Sequence, residues 1–363
     1  MFCGIGTIRL GMEQAGHECV YSIEWDKWKR KIYSIIHGGE PDAADIRTVN
    51  GGGLPGSDCW CFGFPCQDIS VAGKQLGFAG QRSSLFFEVM RMLREIKEED
   101  KPRYLFIENV KNLFSVNSGW DFYNLLYTMD EIGYDAEWQL LNSKDFGVPQ
   151  NRERIFIIGH LRGRSTRQVF PIRESNTKFN LPHDQINNFS LDKDNCFSAI
   201  DASYYKGYGI RGNKCRAIVK ACLTPDRAEK RQNGRRFKNQ GEPMFTLTKQ
   251  DIHGVWIKEA TKKGYSEAEE GDSINLAVPG SKTRRGRVGK GIANTLDTSC
   301  NQGTLSGGRI RRLTPKECWR LQGIPDDITD KVINAGISDT QMYKGAGDAC
   351  TVNVIYEIAR RLK

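Results

Sequence analysis

The feature that most constrains this fold is an alternation. Across residues 1–160, short apolar runs alternate with stretches of helical periodicity. The runs 59–64, 104–107 and 155–159 are continuously apolar, as in parallel strands buried on both faces. Between the first two, residues 85–96 carry apolar side chains at helical spacing. This pattern predicts an open α/β sheet with its ligand sites at the strand carboxyl ends.

After about Gly163 the texture changes. Gly, Asn, Arg and Lys rise and regular periodicity fades until about Gly308. Three pieces within this block place Thr beside Leu: Ala221-Cys222-Leu223-Thr224-Pro225, Met244-Phe245-Thr246-Leu247-Thr248 and Ala293-Asn294-Thr295-Leu296-Asp297. Their irregular spacing makes a weak internal repeat, not a solenoid. Order returns at Arg311. Thr314-Pro315-Lys316-Glu317 reads as a capping box opening a helix, and an amphipathic helix is expected over 352–362. The expected organisation is one domain from 1–163 with 309–363, and a second domain over 164–308.

Composition narrows the class. The chain has 363 residues, 39% hydrophobic and 27% charged, as in globular proteins. No apolar run approaches the roughly 18 residues of a membrane span, and the N-terminus lacks a signal-peptide pattern. A cytoplasmic location is therefore expected, with no membrane partner. The 11 cysteines are odd in number and scattered, which argues for free thiols in a reducing compartment. Cys59, Cys61 and Cys66 lack a paired C-x2-C or a histidine ligand motif, so no metal is expected. The net charge is +9. Residues 203–240 hold 11 Lys or Arg against two acids, and 281–290 hold five against none. Such stretches suit a polyanion, although a solvated basic face has the same composition.

Four clusters sit where chemistry is expected. Phe2-Cys3-Gly4-Ile5-Gly6 reads as a short strand entering a glycine turn that lets backbone approach a ligand. Glu24 ends the next predicted strand, where a carboxylate binds ribose hydroxyls. Trp25 offers a flat surface for adenine, and Asp45 an acceptor for its amino group. Gly63-Phe64-Pro65-Cys66-Gln67 follows the strand 59–64 and places a thiol at a strand end, with a glycine-containing loop, 70–83, beyond it as a lid. Glu108-Asn109-Val110 ends another strand. Gln150-Asn151-Arg152-Glu153-Arg154 enters a further one, and an ion pair between these arginines and Glu108 is the structural alternative to a catalytic role.

In this order, with Arg311-Arg312-Leu313-Thr314-Pro315-Lys316-Glu317-Cys318 and Gly347-x-x-x-Thr351-Val352-Asn353, the clusters resemble the C5-cytosine DNA methyltransferases of bacteria and phages, some of them multispecific. The resemblance covers 1–160 and 311–363. It implies a Rossmann-like, S-adenosylmethionine-dependent methyltransferase sheet with a smaller, irregular target recognition domain, acting on double-stranded DNA. Cys66 would attack C6 of a flipped cytosine. Glu108 would hold N3 and the amino group. Arg154, aided by Arg152, would orient the base and favour the thiolate. For S-adenosylmethionine, Phe2 would stack on adenine, with Gly4 and Gly6 near the methionine end. Glu24 would take the ribose, Trp25 the adenine face, and Asp45 and Ile46 the adenine edge. Pro65 and Leu85 would line the pocket, and Asp348 and Ala349 would close it.

Ser70 and Lys74 in the loop, and Arg235, Arg236, Thr246 and Thr295 in the middle block, would contact DNA. The block is expected to hold more than one recognition module. A monomer is expected, because a flipped base needs only one active site.

Two departures carry expectations of their own. Only Met1 precedes Phe2, so the first strand should be shortened or begin upstream. Asp348 stands where the family more often has Asn, and the extra carboxylate should weaken cofactor binding. The alternatives are a tRNA cytosine methyltransferase with the same core and a non-catalytic DNA-binding relative.

Overall fold

The apolar runs become strands because both faces of each are covered. In β2 (Tyr104–Val110), Leu105 and Ile107 enter one core while Tyr104 and Phe106 enter the other. In β5 (Glu153–Leu161), Ile155 and Ile157 join the first core, and Phe156 and Ile158 the second. A side-chain period of two with apolar residues on both sides gives the unbroken hydrophobicity seen in the sequence.

The structure, a computed structural model, describes residues 1–64, 84–172, 209–210, 213–214, 219–223, 253–278, 281–306 and 309–362. The chain divides into two compact units: Met1–Val148, Arg152–Phe179 and Trp319–Lys363 form the first, and Pro149–Asn151 with Asn180–Cys318 the second.

The sheet of the first unit runs in the order β1 (Cys59–Phe62), β2, β5, β3 (Tyr134–Asn142). β1 and β2 are parallel. β5 is antiparallel to both β2 and β3, which corrects the expectation that 155–159 is a parallel strand. The physical reason is the connection. Only the short segment 143–152 separates β3 from β5, too little for the crossover of a dozen or more residues that parallel pairing needs. Helices α3 (Ser84–Glu95) and α4 (Trp120–Glu131) cover one face with Phe86, Val89, Leu93, Leu125 and Met129. Helices α1 (Thr7–Gln14) and α8 (Val352–Ala359) cover the other with Met12, Val354, Ile355 and Ile358. α1 and α8 touch through Gly11, where a Cβ would fall 2.6 Å from Cβ of Ile355. Each buried aliphatic or aromatic side chain stabilises the unit by about 1.5–3 kcal/mol.

The predicted strands at Phe2 and before Glu24 are reduced to isolated contacts. The Met1 amino group donates to Cys61 O (2.6 Å), and Cys3 N donates to Ile23 O (2.9 Å). Ile23 then makes a lone parallel bridge to Ala43. Phe2 has φ of 52°, which breaks the extended course that a longer ladder requires. α2 (Lys27–His37) follows, capped by Asp26, and α6 (Asp326–Asn334) and α7 (Asp339–Asp348) complete the unit's main helices.

In the second unit, β8 (Val219–Leu223), β9 (His253–Lys258) and β10 (Tyr265–Ala268) form one antiparallel sheet. β11 (Ser273–Asn275), β12 (Val288–Gly289), β14 (Gln302–Ser306) and β15 (Arg309–Arg312) form another. β4 (Gln150–Asn151) pairs in parallel with β13 (Ala293–Asn294), and β6 (Gly209–Ile210) pairs with β7 (Asn213–Lys214). Ile257, Ala268, Ile274, Leu305 and Ile310 make its core. The capping box at the start of α5 (Pro315–Arg320) is reciprocal: Glu317 N donates to Thr314 Oγ1 (3.2 Å) and Thr314 N to Glu317 Oε2 (2.8 Å).

Candidate active site

The parallel register of β1 and β2 sets two strand ends side by side. Phe62 pairs with Ile107, so Gly63 emerges beside Glu108. A Cβ on Gly63 would stand 3.0 Å from Glu108 Oε2, a tight contact that this carboxylate would have to shift to relieve. Asn109, buried, donates from Nδ2 to Phe64 O (3.3 Å) and accepts at Oδ1 from Val110 N (2.8 Å). It thereby pins the backbone two residues before Cys66. Cys66, Pro65, Ser70 and Lys74 themselves lie outside the described residues, as do Arg235, Arg236 and Thr246.

The antiparallel β5 delivers the arginine. Glu108 pairs across the ladder with Phe156 and Val110 with Arg154, which makes Arg154 the diagonal neighbour of Glu108 on the same face. Arg154 Nε lies 3.1 Å from Glu108 Oε1, with side chains only 16% and 13% exposed. At that burial the pair is charge-assisted and poorly hydrated, stronger than a surface ion pair.

Arg152 has a different attachment. It is buried and donates from Nη2 to Gly347 O (3.2 Å) and Ala349 O (2.8 Å). Burial, and then the charge of Arg154, hold its guanidinium down to about 10. Arg152 thus fastens the 347–349 segment against the strand that carries Arg154.

Phe2, Gly4, Gly63, Glu108, Asp348 and Ala349, all anticipated from sequence, line one solvent-open hollow of about 60 Å³. Gly4, at φ 60°, has open space where a Cβ would stand. The other described cofactor candidates are not part of the hollow's lining. Glu24 is buried and accepts from Gly4 N (2.7 Å) and Asp26 N (2.9 Å), so it shapes the glycine turn. Each oxygen keeps a further lone pair for a hydroxyl. Trp25 is 67% exposed, with the Arg47 guanidinium 5.3 Å from its ring centroid. Asp45 takes Arg47 through both oxygens, which holds its carboxyl below the usual range. Ile46 is in the core, and Leu85 packs half-buried against it. Gly6 rests on His37, with a Cβ falling 2.1 Å from Nε2.

Five residues of the lining were not anticipated: Thr7, Ile8, Lys29, Gly345 and Cys350. Thr7 Oγ1 accepts from Cys350 N (3.1 Å). Burial, and then the charge of Glu108, push the Cys350 thiol well above its ordinary range. Lys29 Nζ pairs with Asp348 Oδ2 at 2.8 Å. Asp348, the carboxylate expected to weaken cofactor binding, is thus paired with a lysine. No sequence signal marked Lys29, one of four basic residues in the run 27–31.

The second unit uses its second basic stretch largely for itself. Arg287 is buried and donates to Asn275 O (3.0 Å) and Ala277 O (2.9 Å). Arg284 donates to Ala277 O (3.1 Å), and Lys290 pairs with Asp272 (2.7 Å). Thr295 is exposed and donates its hydroxyl to Asn151 O (2.7 Å). Among the described residues, no helix is long and apolar enough to cross a membrane, and no three His, Cys, Asp or Glu side chains gather as a metal site.

The family model for C-5 cytosine-specific DNA methylases matches residues 1–363. The chain is similar to the type II methyltransferase M.HhaI of Haemophilus parahaemolyticus, at 32% identity over 367 residues, 99% of this chain and 91% of the relative. It is 31% identical to the type II methyltransferase M.NgoBI of Neisseria gonorrhoeae, over 100% of this chain and 91% of the relative. Among solved structures, the Dnmt2 methyltransferase of S. pombe superposes with a TM-score of 0.55 at 15% identity, covering 99% of this chain and 96% of that one. A likeness at that identity speaks for the fold, the Rossmann-like methyltransferase sheet. With the family's pattern spanning its whole length, the chain belongs to the C-5 cytosine-specific DNA methylase family and is an enzyme, a DNA (cytosine-5-)-methyltransferase.

Proposed function

We propose that the chain transfers a methyl group from S-adenosylmethionine to carbon 5 of a cytosine flipped out of duplex DNA, through a covalent bond between Cys66 and C6. The observation that carries this reading is the Glu108–Arg154 pair beside Gly63, three residues before Cys66. A base in the duplex stack is out of reach of such a strand-end site, so it must be extruded.

The chemistry follows from electron demand. Ring C5 of cytosine is a poor nucleophile. Attack of the Cys66 thiolate on C6 forms the S–C6 bond and pushes an electron pair toward C5, while Glu108, in its protonated form for this step, supplies a proton at N3. Arg154 holds Glu108 and orients the base. The methyl donor supplies an electrophilic sulfonium methyl, which C5 takes. Loss of the C5 proton to a base then returns the electron pair, the S–C6 bond breaks, and the N3 proton goes back to Glu108. Arg152 is a positioning residue, acting through the 347–349 segment.

The residues fit the methyl donor. The hollow joins a glycine turn without side chains, the apolar Phe2 and a lysine–aspartate pair. Exposed Trp25 presents an aromatic face, and Glu24 keeps acceptor capacity for ribose hydroxyls. We assign methyl transfer to the first unit and target recognition to the second, with Ser70, Lys74, Arg235, Arg236, Thr246 and Thr295 as DNA contacts and a monomer as the working form.

The test is incubation with methyl-labelled S-adenosylmethionine and unmethylated genomic DNA, followed by sequencing for 5-methylcytosine, with Cys66→Ala alongside. Methylation at short motifs, lost in the variant, is the expected result. Methylation that survives Cys66→Ala would overturn the nucleophile assignment. Transfer to tRNA with none to DNA would overturn the substrate.

A further inference from the structure

The hollow carries a charge pair that the methyl-transfer chemistry does not use. Lys29, in the first turn of α2, reaches Asp348, the last residue of α7, with Nζ 2.8 Å from Oδ2, and both side chains line the hollow. A companion pair of opposite polarity joins the same two helices: Lys344 of α7 reaches Asp26, the cap of α2, at 2.6 Å. Residues 344 and 348 share one face of α7 by their spacing, and 26 and 29 lie close at the start of α2.

The two pairs differ in setting. Lys344 is 42% exposed, as expected of a surface contact, and does not line the hollow. Lys29 is only 20% exposed on its side chain. Burial opposes its charge, yet the charge and hydrogen bond of Asp348 outweigh this and raise its affinity for the proton. Lysines are rarely placed so deep without a partner. Here the ammonium stays charged, and Lys29 is part of the hollow's lining.

We propose that Lys29 and Asp348 together recognise the zwitterionic amino-acid end of the methyl donor, Lys29 holding its α-carboxylate and Asp348 its α-ammonium. This rests on the S-adenosylmethionine reading above. The complement of a zwitterion is a fixed pair of opposite charges, and one internal ion pair is exchanged for two with the ligand. A lone carboxylate would attract the ammonium and repel the carboxylate beside it. Lys29 therefore makes an aspartate workable at this position, and selects ligands that keep the α-carboxylate.

The experiment is equilibrium binding by calorimetry, without DNA, using S-adenosylhomocysteine and its analogue lacking the α-carboxylate. Lys29→Met should weaken S-adenosylhomocysteine about tenfold or more, equivalent to about 1.4 kcal/mol. Binding of the decarboxylated analogue should change less than about twofold. Lys344→Met, which cuts the companion pair, should leave both ligands within about twofold. Equal losses on both ligands for Lys29→Met, or a matching loss for Lys344→Met, would overturn the assignment and leave the pair as a brace between helices. No loss on either ligand would also overturn it. Wild-type protein that binds neither ligand would overturn the cofactor reading and this assignment with it. Ligand-independent losses on a wild type that binds overturn this assignment alone.

Discussion

Gly63 shows how narrowly a single residue can hold a site. Its hydrogen faces Glu108 Oε2, where a Cβ would sit at 3.0 Å, inside ordinary contact distance. The carboxylate is held from the other side by Arg154, so it has little room to yield. Gly63→Ala should therefore push Glu108 off its line while leaving the fold nearly intact. The expected outcome is a loss of about tenfold or more in single-turnover methylation, with unfolding free energy changed by less than about 1 kcal/mol. Full activity in the alanine variant would mean that the carboxylate works from another position. The glycine was legible in the sequence as part of Gly-Phe-Pro-Cys. Its reason was not, because the clash depends on the lateral pairing of β1 with β2.

At the scale of elements, α2 joins two parts of the site. Its N-terminus presents Lys29, and its last residue, His37, lies under Gly6 of the glycine turn. Burial, and then the charge of Arg9, lower the His37 pKa from 6.5 to about 4, with Glu13 opposing. The sign is that of a base made less basic by folding. The unfolded chain binds the proton first as pH falls, so stability is complete above 6.5 and declines toward 4. Relative to neutral pH, the unfolding free energy should drop by about 2 kcal/mol at about pH 5, before most carboxylates titrate. Urea unfolding across that range tests this, and His37→Phe should flatten the slope. An unchanged slope in His37→Phe would place the acid sensitivity elsewhere.

Element positions were largely readable in the sequence: α3 spans Ser84–Glu95 where 85–96 was expected, and the capping box forms as written. Strand direction was not read, because apolar periodicity is the same for parallel and antiparallel strands. The short link 143–152 was the available signal for β5. Lys29 was not legible because nothing local separates it from Lys27, Arg30 and Lys31; its partner is more than 300 residues away in the chain.

For the whole molecule, net charge and usable charge differ. The chain carries +9, but Arg284, Arg287 and Lys290 are occupied with carbonyls and carboxylates of their own unit. The stretch 281–290 therefore offers DNA less than its composition implies. Under the proposed function, the polyanion contacts are expected of 203–240, with its 11 Lys or Arg. If that stretch neutralises about six phosphates, log affinity should fall against log salt with a slope of about −5, roughly a thousandfold loss between about 50 and 200 mM. Fluorescence anisotropy with a labelled duplex measures the slope. Replacing Arg235 and Arg236 by Gln should reduce its magnitude by about 2, since each phosphate contact contributes about 0.9. Arg287→Met should instead lower stability and leave the slope alone, because its guanidinium is turned inward to Asn275 and Ala277. A slope that responds to Arg287 but not to the Arg235–Arg236 pair would reverse this division, and would put the DNA face on the stretch 281–290.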